Sequence, residues 1–204
     1  MNNQEHFESA GDDDSIQLET SACTIELMRD GGQWPKDLMQ LAELVAMGVE
    51  NSLNVAQSDA VTRHHIVMPK SHPHINILLS TDENIRRLNL EFRGKDQPTN
   101  VLSFPVGDDA AFGPSAGSML GDIVLGYETV ANEARDQELP LNNHILHLVI
   151  HGVLHLMGLD HQENDEATIM EGLETRILSM MNISDPYASC HPTTKGNHAP
   201  GEGQ

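Results

Sequence analysis

The stretch His151-Gly-Val-Leu-His-Leu-Met-Gly-Leu-Asp-His161 constrains this chain more than any other. His151 and His155 are four residues apart, so on a helix they lie on one face, one turn apart. Two imidazoles placed that way can hold one metal ion. Gly158 follows, and glycine readily takes the left-handed conformation that ends a helix. The chain can then turn back and bring His161 to the same ion. Three neutral imidazoles with an open fourth position make the donor set of a catalytic zinc site. Val153, Leu154, Leu156 and Met157 can anchor the helix in a core. A lone histidine in an amphipathic helix is usually structural, whereas three at H-x-x-x-H-x-x-G-x-x-H spacing point to a metal centre.

The same spacing occurs in the zinc peptidases called metzincins. There a glutamate follows the first histidine and acts as general base. In this chain that position is Gly152. The metal cradle is kept and the peptidase base is missing, which counts against a peptidase working by the usual route.

With 204 residues, one domain with tails is expected. No apolar run reaches the ~18 residues of a membrane span. Met1 to Glu8 offers neither a basic region nor an apolar core, so no signal peptide is expected. Cys23 and Cys190 lie far apart without CxxC partners and read as free thiols. A cytoplasmic protein with no membrane association is expected. The formal net charge of −20 argues against broad electrostatic capture of nucleic acid. It leaves room for a small basic site within an acidic shell.

Residues 1–15 form an acidic leader expected to be disordered, and the Gly- and Pro-bearing tail 188–204 reads the same way. Ile16, Leu18, Ile25 and Leu27 alternate with polar residues and predict strands. Pro35 is expected to open a helix carrying Leu38, Leu41, Val45 and Val49 on one face, with a loop from Asn54 to His74. Ile75, Ile77 and Leu79 predict a strand, and Ser80-Thr-Asp-Glu83 has the form of a capping box. The following helix is expected to turn Ile85, Leu88 and Phe92 inward and to run into a turn at Arg93-Gly-Lys-Asp96. Strands are predicted at Val101 to Phe104 and Leu120 to Gly126, with a surface loop from Gly107 to Gly117 between them. Helices are predicted from Tyr127 to Gln137, from Pro140 through the histidines, and from Asn164. The last places Met170, Leu173, Ile177 and Met181 on one side. His144 and His147 share the face of His151 and His155. His147 either lines the cleft, hydrogen-bonds behind a ligand, or is a partly buried helix histidine.

Three segments in order, Phe92-Arg-Gly-Lys-Asp-Gln-Pro-Thr-Asn-Val-Leu-Ser-Phe-Pro105, Gly121-Asp-Ile-Val124 and His151 to His161, closely resemble the YbeY family of bacterial single-strand endoribonucleases, also called rRNA maturation factors. The resemblance runs from about Ile16 to Tyr187, so the expected domain is 16–187. It implies an α+β fold, a small mixed β-sheet packed against helices, with the zinc site at a helix and the turn after it. It implies one zinc ion per chain on His151, His155 and His161, and a functional arginine at Arg93. It also implies single-stranded RNA as substrate, action on ribosomal RNA and notably the small ribosomal subunit's ends, and a part in ribosome quality control.

Phosphodiester cleavage must stabilise extra negative charge on phosphorus oxygens. Zinc can do this as a Lewis acid and can bring the pKa of bound water to about 7. Arginine offers planar, permanently charged donors that match phosphate oxygens. Arg93 is the candidate for that role, the alternative being a surface arginine in a charged turn, and Lys95 is a weaker phosphate contact. The general base stays open. Asp160 either orients an imidazole, assists water, or only caps a turn or helix. Aromatic residues are only 3%, so base stacking contributes little and sequence preference should be weak. Two other readings remain, a metzincin-like hydrolase of another substrate and a non-catalytic ribosome-assembly factor with a structural zinc.

Overall fold

Apolar side chains at every second position of three central segments build one buried sheet face. Ile25 and Leu27, Ile75, Ile77 and Leu79, and Ile123 and Leu125 are all essentially inaccessible to solvent. In a strand, alternate residues share a face, so this pattern requires a layer packed on one side. The computed structural model describes residues 15–58, 72–106, 119–159 and 164–188.

The sheet has five strands: β1 (Ser15–Glu19), β2 (Thr24–Arg29), β3 (His74–Ser80), β4 (Val101–Pro105) and β5 (Met119–Gly126). Their spatial order is β1-β2-β3-β5-β4. The inner pairs β2/β3 and β3/β5 are parallel, and the outer pairs β1/β2 and β4/β5 are antiparallel. Five helices complete the fold: α1 (Leu38–Ser58), α2 (Asp82–Arg93), α3 (Tyr127–Asp136), α4 (Leu141–Leu156) and α5 (Asn164–Met180). The architecture is therefore α+β with a mixed sheet, as expected. Among the described residues no helix is long and apolar enough to cross a membrane.

The two sheet faces are covered unequally. One shares a continuous core with α1, α3, α4 and α5. The other carries a small cluster of Ile85, Leu102 and Val124, with Leu78, Leu88 and Phe104 against it. On that side Met28, Leu78, Leu88, Phe92 and Phe104 help line a groove of about 450 Å³.

Four local expectations are corrected. Helix α1 begins at Leu38, where the Asp37 carboxylate accepts from the Gln40 backbone N–H, and not at Pro35. It also runs on to Ser58, because Val55 and Ala56 keep its buried stripe going beyond Asn54. The cap of α2 is Thr81, whose hydroxyl accepts from the Asn84 N–H, while Ser80 closes β3 opposite Gly126. Phe92 points outward, 58% exposed, with its ring edge-on to Phe104. Residues 1–14 of the leader, residues 59–71 of the loop expected from Asn54 to His74, the loop at 107–117, Cys190 and nearly all of the tail lie outside the described residues, while Ser15, counted with the leader, opens β1. Cys23 is a buried free thiol, and burial raises its pKa.

Candidate metal and phosphate site

Helix α4 is apolar on most of its surface. Ile145, Leu146, Val149, Ile150, Val153 and Leu154 are buried, so its histidines occupy the one polar strip left. The helix stops in a Schellman arrangement. The Gly158 N–H donates to the His155 carbonyl and the Leu159 N–H to the Leu154 carbonyl. Gly158 has φ +94°, a conformation that glycine adopts without strain. This turn delivers the Leu159 carbonyl to His155 Nδ1 at 2.7 Å. A carbonyl only accepts, so His155 carries its proton on Nδ1.

His151 is fixed in the same way by a side chain. Its Nδ1 lies 2.8 Å from Glu174 Oε1. Burial by itself raises the Glu174 carboxyl, but hydrogen bonds from His147 and His151 outweigh it and bring the pKa down to about 2. Glu174 is thus an anion and an acceptor, and His151 also carries its proton on Nδ1. The two Nε2 atoms then face each other at 3.1 Å, each with a lone pair. Two ring nitrogens without the ring's proton at that distance need positive charge between them, either a proton on one or a metal ion on both. Tetrahedral zinc with Zn–N bonds of 2.0–2.1 Å separates two imidazole nitrogens by about 3.3 Å, so the donor pair fits. His151 keeps partial solvent access, with a side-chain exposure of 23%.

His161, the expected third ligand, and Asp160 lie outside the described residues. Among the described residues no three His, Cys, Asp or Glu side chains form a metal-binding group. The structure therefore brings together His151 and His155 and leaves the third position of the triad undescribed.

Gly152 explains the missing peptidase glutamate. A Cβ there would meet Ile123 Cδ1 at 2.9 Å and Ser103 Oγ at 3.0 Å. Helix α4 lies so close to β4 and β5 that this position admits no side chain without displacement.

Arg93 is the last residue of α2, one position earlier than the turn expected for it. Its side chain reaches the Ser103 carbonyl of β4 at 3.3 Å. The Ser103 hydroxyl lies against Gly152, the residue after His151. Strand β4 is thus touched by both the arginine and the metal helix. The Arg86–Asp96 pair, at 2.6 Å, ties the turn that follows α2 back to the helix. Lys95 is exposed in that turn.

Of the groups behind the histidines, sequence reading weighed His147 and missed Glu174, Tyr187 and Glu133. His147 Nε2 lies 2.9 Å from Glu174 Oε2, and the Tyr187 hydroxyl donates to the same oxygen. Burial, then the Glu174 carboxylate, push the Tyr187 phenol well above its usual pKa, so it stays a donor. His144, only 4% exposed, has its Nε2 2.8 Å from Glu133, which also accepts from Asn100. One signal for Glu174 was present: an acidic residue between Leu173 and Ile177, inside the apolar stripe of α5.

Comparison with known proteins places these features in a family. Residues 40–182 match the family described as Endoribonuclease YbeY. A protein of Sinorhizobium fredii named Endoribonuclease YbeY is 41% identical over 167 residues, covering 82% of this chain and 93% of its own. One of the same name from Rhizobium meliloti is 40% identical over 172 residues, covering 84% and 99%. A third, from Rhizobium etli, reaches 50% identity over 119 residues, covering 58% and 69%.

Proposed function

The chain belongs to the endoribonuclease YbeY family, and from that premise we propose that it is a zinc-dependent single-strand endoribonuclease acting in ribosomal RNA maturation. The observation that carries this reading is the facing pair of Nε2 atoms, with both Nδ1 positions occupied by acceptors. His151 and His155 hold the ion together with His161, one zinc per chain. When bound, zinc supplies Lewis acidity toward a phosphoryl oxygen and acidifies water.

The other steps belong to the chain's own residues. Arg93 binds the scissile phosphate and neutralises the charge that builds on it, its fork of donors matching two oxygens. Its contact to Ser103 leaves further guanidinium donors for that task. Lys95 adds a second positive charge to the exposed turn. The strongly acidic remainder of the chain confines phosphate attraction to this small patch. The substrate is accessible single-stranded RNA, in the cell the ribosomal RNA of the small subunit, with a further part in ribosome quality control in the cytoplasm.

The crowding at Gly152 speaks against a peptidase using a glutamate at that position. The test offers one single-stranded RNA, its duplex and an unfolded protein to zinc-replete and to chelated enzyme. The single strand alone should be cut, and only by zinc-replete protein. Equal cutting of duplex and single strand, or cutting of the protein, would overturn the reading. An intact RNA alongside restored ribosome assembly would favour the non-catalytic factor.

A further inference from the structure

Glu174 is fully buried on a face of α5 otherwise made of Met170, Leu173 and Ile177. A carboxylate there is strongly unfavourable unless every oxygen is partnered. Its partners account for both: His151 on Oε1, and His147 with Tyr187 on Oε2. That makes the charge tolerable without giving a reason for it, since an apolar residue would hold α5 on α4 as well. What the carboxylate alone accomplishes is to choose which nitrogen of His151 carries the proton.

We propose that Glu174 is a positioning residue of the metal centre, fixing His151 as the Nδ1–H tautomer with Nε2 turned toward His155. The proposal rests on the zinc site described under the proposed function. His155 receives the same orientation from the Leu159 carbonyl, which comes with the helix end. One ligand is therefore set by the backbone turn that ends α4 and the other by a side chain from α5. His147 and Tyr187 hold the second oxygen of Glu174, so that the first stays aimed at His151. In this scheme His147 is a support and not a ligand. The segment after α5 reaches the metal centre through the Tyr187 hydroxyl.

The test uses Glu174→Gln in the full chain, with two readouts besides activity. Zinc affinity is measured by competition with a chelator, and loss of an outer partner of this kind lowers it about 10–100-fold. Imidazole ¹⁵N shifts of the metal-free protein report the tautomers. His151 should lose its pure Nδ1–H form in the variant, while His155 keeps its own. A merely structural Glu174 would lower thermal stability and leave the His151 tautomer unchanged. Should Glu174→Gln not fold, Glu174→Asp, which keeps the charge but falls short of His151, carries the test with the same direction expected. A variant that binds zinc within twofold of wild type, with its His151 tautomer intact, overturns the proposal alone. Wild-type protein that takes up no zinc overturns the metal reading itself and this proposal with it.

Discussion

The two halves of α4 use the same residue type for opposite purposes. In the first half, His144 is closed in: its Nε2 lies against Glu133, Glu133 also holds Asn100, and its Nδ1 is buried. In the second half, His151 and His155 spend Nδ1 on acceptors and turn Nε2 toward each other, and both residues are only partly buried. A carboxylate stands behind His144 and behind His151 alike. What differs is which ring nitrogen it takes and whether the other is covered. A histidine–carboxylate contact alone therefore does not mark a reactive site; the surroundings of the other ring nitrogen do.

The largest effect that can break this comparison is removal of the second pair. His151→Ala combined with His155→Ala should abolish single-stranded RNA cleavage, measured in single-turnover assays. His144→Ala should leave cleavage within a few-fold of wild type once the protein is folded. Equal losses in the two would erase the distinction.

Next in size is Arg93→Glu, which reverses the charge at the proposed phosphate contact without touching a histidine. Loss of one charge-stabilising donor costs about 10²–10³ in rate, and reversal should cost at least that. Zinc content and fold should stay as in wild type. Arg93→Lys should fall between, keeping the charge and losing the fork. Wild-type cleavage by Arg93→Glu would reduce Arg93 to a surface residue, and loss of zinc would make it structural.

Smaller effects separate packing from chemistry. His144→Ala should cost about 3 kcal/mol of stability, from a buried side chain and a hydrogen bond lost at a carboxylate that water still reaches. Denaturant unfolding of zinc-replete protein checks it. Gly152→Ala should cost about 1–2 kcal/mol, since its Cβ would press on Ile123 and Ser103. It should also slow cleavage, because the displaced strand β4 carries the carbonyl that Arg93 holds. An unchanged midpoint would show that the helix shifts freely.

The histidine pair was legible in the sequence because its spacing is set by helix geometry, and Gly158 because only a left-handed turn ends α4 there. Strands β1 to β3 were legible from alternation, β4 from the Pro105 that stops it, and β5 from an apolar run between glycines. Glu174 was not, because reading α5 by its apolar stripe passes over the one acidic residue inside it, and its partners lie on another helix. The outward turn of Phe92 was hidden for a similar reason. Helical spacing places it with Ile85 and Leu88, but at the end of α2 its ring lines the open groove edge-on to Phe104 and stays mostly exposed. The end of α1 was missed because Asn54 looked like a break, while Val55 and Ala56 were still needed in the core.

Zinc per chain, measured by elemental mass spectrometry on wild type, His144→Ala and His155→Ala purified side by side, tests the division of α4 most directly. About one ion in wild type and in His144→Ala, with little in His155→Ala, is the predicted result. Undiminished zinc in His155→Ala, or zinc lost equally from His144→Ala, would contradict it.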